Sequence, residues 1–260
     1  MQRASKSTRL AVSLAVVVLC AMPGTGCNKC AAHPESPPEP DAVRADVPDR
    51  DEPNGGLSRY ARLPQSEDLR ALPRIGSPQD VALETALFER RSIRRYTDEA
   101  LSDAQLSRLL WAAQGVTSAT GNRTAPSAGA LYPLEVHVLA PDGVFRYEPR
   151  SHALEQLSGE DRRDEMAEAA VGQSWVADGA AVVVIGAVVA RTASKYGDRA
   201  ERYAHLEAGA AAQNLLLEVV ALELGATFVG AFHDDQVVDV AQLPQGTVPL
   251  AVIPVGVPES

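Results

Sequence analysis

Arg90-Arg91-Ser92-Ile93-Arg94-Arg95 places four guanidinium groups within six residues. Positive charge this dense calls for an anion. The planar forks of arginine pair bidentately with phosphate oxygens, and the Ser92 hydroxyl adds a further donor. Further along the chain stands Pro126-Ser127-Ala128-Gly129-Ala130-Leu131-Tyr132-Pro133, a small-residue loop between two prolines. Ser, Ala and Gly allow backbone to approach a flat ligand closely. The two stretches together point to a planar cofactor with a phosphate tail, and a flavin is the best candidate.

The surrounding chain is acidic. Of 260 residues carrying a net charge of -10, residues 1–30 contribute +4, residues 31–56 contribute -5 and the remainder -9. An acidic domain without a basic stripe argues against nucleic acid or an anionic membrane surface as partner. Cys20, Cys27 and Cys30 all fall in the first 30 residues. The segment 57–260 therefore has no disulfide, no thiolate metal site and no cysteine nucleophile.

Arg3, Lys6 and Arg9 precede the apolar run Leu10–Leu19 and then small residues, the layout of a secretory signal peptide. The run is shorter than the ~20 residues of a membrane span. Gly24-Thr25-Gly26-Cys27 resembles a bacterial lipoprotein cleavage box with Cys27 as the acylated residue, although Gly24 replaces the usual Leu. Residues 1–27 are thus expected to be a signal peptide of lipoprotein type. Residues 28–56, rich in Pro and acids, read as a disordered tether, and residues 57–260 as the folded domain. The expected location is periplasmic and membrane-anchored through Cys27; a wrongly assigned Met1 would leave the protein cytoplasmic.

Within the domain, Val81, Leu83, Ala86, Leu87 and Phe88 form a short helical face leading into the arginines. Ser102 and Gln105 form a capping box for a helix through Leu106, Leu109, Leu110 and Ala113, with Gly115 as its C′ residue. Leu134–Ala140 alternates like a strand, with Val144–Tyr147 as hairpin partner. Arg162–Gln173 reads as helix. Ala180–Ala190 is Val-rich and apolar throughout, a strand buried on both faces. Glu201–Leu224 is a long helix ended by Gly225, and Ala226–Phe232 and Pro249–Val257 are further strands. This order predicts an α+β domain with a central mixed sheet flanked by helices. There is no G-x-G-x-x-G and no P-loop.

These residues resemble the nitroreductase-like FMN oxidoreductase superfamily, and within it the thiazole/oxazole-forming azoline dehydrogenases. The likeness is carried by Arg90-Arg91-Ser92-x-Arg94, Leu110–Gly115, Pro126–Pro133, Lys195-Tyr196-Gly197, Glu207-Ala208-Gly209, Gln213-Asn214, Val229–Phe232 and Pro254-Val255-Gly256, over roughly residues 68–258. It implies a homodimer with FMN at the subunit interface. Arg90 and Ser92 would hold the phosphate, with Arg91 and Arg95 adding charge, and Arg94 would approach the N1–C2=O edge of the ring. A cation there stabilises the charge that reduction places on that edge. Pro126, Ser127, Ala128 and Gly129 would line the pyrimidine side. Gly230 and Ala231 would offer a backbone N–H to N5.

By the same resemblance, Lys195 and Tyr196 are the catalytic pair, removing a proton from the substrate as hydride leaves for the flavin. The bland alternatives are a solvated helix end for the arginines, an ordinary turn at 126–129 and a surface lysine in a loop. His233-Asp234-Asp235 reads as a polar loop rather than metal ligands. One departure from the family stands out: the chain ends Glu259-Ser260, without the basic pair that many nitroreductases place after the last strand. The expected function is hydride transfer between flavin and a small organic substrate, of azoline-dehydrogenase or nitro/quinone-reductase type, with NAD(P)H as a candidate donor. The competing reading is a non-catalytic flavin-binding or structural envelope module.

Overall fold

The computed structural model describes residues 69–76 and 81–259. The signal segment, Cys27 and the tether lie outside the described residues. Seven strands form one sheet: β1 (Leu69–Ala71), β2 (Leu134–Ala140), β3 (Gly143–Glu148), β4 (Ala153–Ser158), β5 (Ala181–Ala187), β6 (Gly225–Ala226) and β7 (Val248–Gly256). Their spatial order is β1-β4-β3-β2-β5-β7-β6. Every strand pair is antiparallel, which corrects the expected mixed sheet. The only parallel pairing among the described residues is an isolated bridge between Ser92 and Ala226.

The helices are α1 (Leu83–Glu89), α2 (Asp103–Gln114), α3 (Arg163–Ala169), α4 (Val189–Tyr196), α5 (Ala200–Ala221) and α6 (Asp234–Val240). They cover both faces of the sheet, so the inner strands alternate between two cores. Ala181, Val183, Ile185 and Ala187 of β5 pack in one core with Leu109, Leu110, Ala211 and Leu215 of α2 and α5. Val182 and Val184 pack in the other with Met166 of α3 and Val237 of α6. This explains why β5 reads as apolar throughout although its neighbours are antiparallel: burial on two faces follows from helical cover, whichever way the strands run.

The Ser102–Gln105 capping box is present in full at the start of α2. Gly115 ends α2 for a different reason from the one expected. Its backbone is extended rather than left-handed. A Cβ there would lie 2.1 Å from Cδ1 of Trp111, so glycine is required for space. Gly225 likewise does not cap α5, whose C-cap is Leu222. It belongs to β6, where a Cβ would meet the Ile93 side chain at 2.7 Å. The strand expected over Ala226–Phe232 shrinks to β6 and one bridge, Val229 to Val252. The apolar face of α1 is largely unburied, with Leu83, Leu87 and Phe88 at 60, 54 and 77% exposure.

Candidate active site

The arginine stretch follows α1 directly, with Arg90 as its C-cap. It is held against the sheet edge: Ile93 N–H donates to the Ala226 carbonyl at 2.9 Å, and the Thr227 hydroxyl donates to the Ile93 carbonyl. Ile93 is half-buried and packs against Gly225, while Arg91, Ser92, Arg94 and Arg95 are exposed. Arg91 donates to the Phe88 and Arg90 carbonyls, 2.8 Å each, satisfying the free end of α1. Arg94 lies 5.2 Å over the Trp175 ring. Among the described residues none of Arg90, Arg91, Arg94 and Arg95 forms a salt bridge, although this domain is rich in acids. Gly230 and Ala231 follow a few residues after the Ala226 contact and are exposed. Gly230 has open space around its Cα apart from the Phe228 ring edge at 3.6 Å, which suits a close backbone approach.

A second cluster forms on the Pro126–Pro133 loop. Its backbone is strained: Gly129, Ala130 and Tyr132 have φ of 63, 53 and 47°. For Ala130 and Tyr132 that conformation costs on the order of 1–3 kcal/mol each, and it persists only where the surroundings impose it. Three anchors do so. Ser127 Oγ accepts the Tyr132 N–H at 2.9 Å, Arg123 stacks 4.4 Å over the Tyr132 ring, and Arg191, ion-paired with Glu135, donates to the Tyr132 carbonyl.

Lys195 and Tyr196 come to this loop from the last turn of α4 rather than from a loop. A Cβ on Gly129 would lie 2.9 Å from Tyr196 Oη and 3.3 Å from Lys195 Nζ. Tyr203 of α5 packs edge-on against Tyr196, with ring centroids 5.1 Å apart. The fold thus joins two candidate stretches more than 60 residues apart in the sequence. It also joins the arginines to the strand that leads into Gly230. Asn214 donates to the Thr124 carbonyl at 3.3 Å and so tethers the same loop, whereas Gln213 faces solvent. His233, with Asp234 and Asp235 after it, stands at the start of α6.

Sequence reasoning singled out Glu207 only as part of a motif. In the structure it is 3% exposed on α5, and among the described residues neither carboxylate oxygen has a hydrogen-bond partner. Burial raises its carboxyl to about 7; the nearby Ser127 hydroxyl and Arg123 guanidinium oppose the rise without offsetting it. Ser127 is thus close enough to influence the titration, although its contact with the carboxylate falls short of a formed hydrogen bond. Arg123 is committed elsewhere, donating to Gln114 Oε1 at 2.8 Å. Concavities at the far edge of the sheet, around Arg70 and Phe145, contain none of the candidate residues.

The fold is an antiparallel sheet between two helical layers, with exposed arginines beside its β6 edge and Lys195 and Tyr196 of α4 against the strained 129–132 turn at the ends of the inner strands β2 and β5. The sequence profile of the nitroreductase family matches residues 87–257. A protein of Methanocaldococcus jannaschii assigned as a nitroreductase is 40% identical over 184 residues, covering 68% of this chain and 92% of its own. A crystal structure from Ralstonia eutropha, also assigned as a nitroreductase, superposes with a TM-score of 0.68 at 31% identity, covering 80% of this chain and 98% of its own. The NADPH:FMN oxidoreductase of Vibrio harveyi shares the fold, with a TM-score of 0.52 at 20% identity, covering 68% of this chain and 69% of its own. The chain belongs to the nitroreductase family and is an oxidoreductase of the FMN type.

Proposed function

We propose that the protein binds FMN between two copies of the chain and transfers hydride between flavin N5 and a small organic substrate. The observation that carries this reading is the seating of Lys195 and Tyr196 against the strained Gly129 turn, where a flat ring could lie beside a proton-transferring pair. The donor set fits the cofactor. Arg90, Arg91 and Ser92 would hold the phosphate, with Arg94 available to the electron-accepting edge of the ring. Pro126, Ser127, Ala128 and Gly129 would form the floor under the ring, and the Gly230 and Ala231 backbone would face N5. Bound FMN would supply the two-electron chemistry; the protein's part is to orient, to exclude water and to move one proton.

Lys195 and Tyr196 would move that proton. In the dehydrogenating direction, as in azoline oxidation, they accept it from the substrate carbon as hydride leaves; in nitro or quinone reduction they return it. The exposed apolar face of α1 is available for the second copy. Export and lipidation at Cys27 complete the proposal and would place the site at the membrane surface, loaded with cofactor after secretion.

The test uses the full-length chain. It should take up FMN stoichiometrically, with a flavin visible spectrum, and NAD(P)H or another donor should bleach it. A colourless protein with no FMN-induced thermal shift overturns the reading. Lys195→Ala should lower the rate of azoline oxidation at least ~100-fold, in line with loss of a general base, and leave FMN affinity unchanged. If nitroarene reduction survives in that variant, the pair serves the dehydrogenating chemistry.

A further inference from the structure

We infer that Glu207 is a positioning residue for the ring-binding turn, acting through the Ser127 hydroxyl so that flavin uptake is coupled to uptake of one proton. This rests on the FMN reading above and deepens it.

The argument begins with an unusual burial. A carboxylate taken out of water is normally paired or hydrogen-bonded. Among the described residues Glu207 is neither, although it lies within a well-packed helix between Ala204 and Ala211. Its oxygens are inaccessible, so a ligand cannot touch it and its influence must pass through a neighbour. Ser127 is that neighbour, and it pins the strained turn: its Oγ already accepts the Tyr132 N–H.

A hydroxyl has one donor hydrogen and two acceptor lone pairs. With Tyr132 on one lone pair, two arrangements remain. When Glu207 carries a proton, it donates to the second lone pair, and the Ser127 O–H is free to point out to an acceptor on the ligand. When Glu207 is ionised, the Ser127 O–H must turn inward to the buried charge and the ligand loses a donor. A flavin ring presents carbonyl acceptors, so it favours the protonated arrangement.

The charged and titratable groups around the turn come from several elements. Arg123 precedes it in the same loop, Tyr132 closes it, Glu135 on β2 pairs with Arg191 on α4, Lys195 and Tyr196 face Gly129, and Tyr203 stands one turn before Glu207 on α5. Arg123 is the one that draws Glu207 toward its charged form, and its hydrogen bond to Gln114 and stacking on Tyr132 hold it away from a direct pair.

The test measures flavin affinity of the full chain against pH, using FMN and also riboflavin, which lacks a titrating phosphate. For the wild type, affinity for both should fall toward tenfold per pH unit above neutrality, as linkage to one proton requires. Glu207→Gln, whose amide donates to Ser127 permanently, should bind with a pH dependence below about twofold for riboflavin over the same range. Ser127→Ala should bind more weakly and be equally flat. A flat wild-type riboflavin profile, or the same slope in Glu207→Gln, overturns the proposal.

A second readout needs no flavin. Between pH 6.5 and 7.5 the wild type should lose stability to urea as pH rises, Glu207→Gln should not, and Ser127→Ala should extend the loss to higher pH. If no variant binds flavin at any pH but these stability profiles hold, the cofactor reading fails and the Glu207–Ser127 coupling stands. Identical profiles in wild type and Glu207→Gln overturn the coupling.

Discussion

Gly129 shows how much one position can carry. Its φ of 63° lies in the left-handed region, and a side chain there would press on the hydroxyl of Tyr196 at 2.9 Å. Gly129→Ala is expected to cost about 1–2 kcal/mol of stability from backbone strain alone. It should also weaken FMN binding, because the ring-facing turn must shift; urea unfolding and FMN titration check both. Two buried ionisable residues carry large and opposed shifts. Burial lowers His137 to about 4, with its Nδ1–H donated to the Ala241 carbonyl at 2.7 Å, and burial raises Glu207 to about 7.

Because the folded pKa of His137 is depressed, its contribution is full above about pH 6.5 and is lost as pH falls through about 4. Glu207 has a raised folded pKa, so its contribution is full below about pH 4.5 and is lost as pH rises through about 7. Each is worth roughly 3 kcal/mol and the two slopes oppose one another between pH 4.5 and 6.5. The contributions of these two residues should therefore nearly cancel there. Glu207→Gln should become more stable with rising pH in that window, and His137→Asn should become less stable; urea midpoints at intervals of half a pH unit would decide.

Among elements, α2 was the most readable, since a capping box and a 3.6-residue apolar period are local signals. The reason for its terminal glycine was not readable, because Trp111 lies across Gly115 only once the chain has turned away. Gly115→Ala should destabilise by about 1–3 kcal/mol through overpacking against that indole, measured as a lowered urea midpoint. On α5, Leu215 is fully buried between helix and sheet. Leu215→Ala should cost about 2–5 kcal/mol by leaving a cavity. The strands β1 and β4 escaped notice because they lie at or next to the sheet edge, where polar residues such as Glu155 and Gln156 break the apolar pattern. The segment after Ala226 looked like a strand because it is apolar, yet it leaves the sheet almost at once; its burial comes from packing beside the arginine stretch and β7.

For the molecule as a whole, the exposed apolar side of α1 next to the arginines bears on assembly. Leu83, Leu87 and Phe88 put three large, mostly exposed apolar side chains on one seven-residue helix. In the two-copy arrangement proposed above, Phe88→Glu should shift the protein toward monomer in sedimentation. It should also reduce FMN affinity by at least ~10-fold, as expected when a site shared between copies is split. Unchanged sedimentation would remove α1 from the subunit contact. Composition, charge asymmetry, the α+β class, the arginine block and the Ser-Ala-Gly loop could all be recognised in the linear chain, because each is a short-range pattern. Beyond the β2–β3 hairpin, the antiparallel direction of the strand pairs, the meeting of Lys195 and Tyr196 with Gly129, and the isolation of Glu207 emerged only on folding. Strand direction and burial depend on which distant segments pack together, and one carboxylate on an alanine-rich helix looks the same in sequence whether its neighbour is water or a half-buried serine.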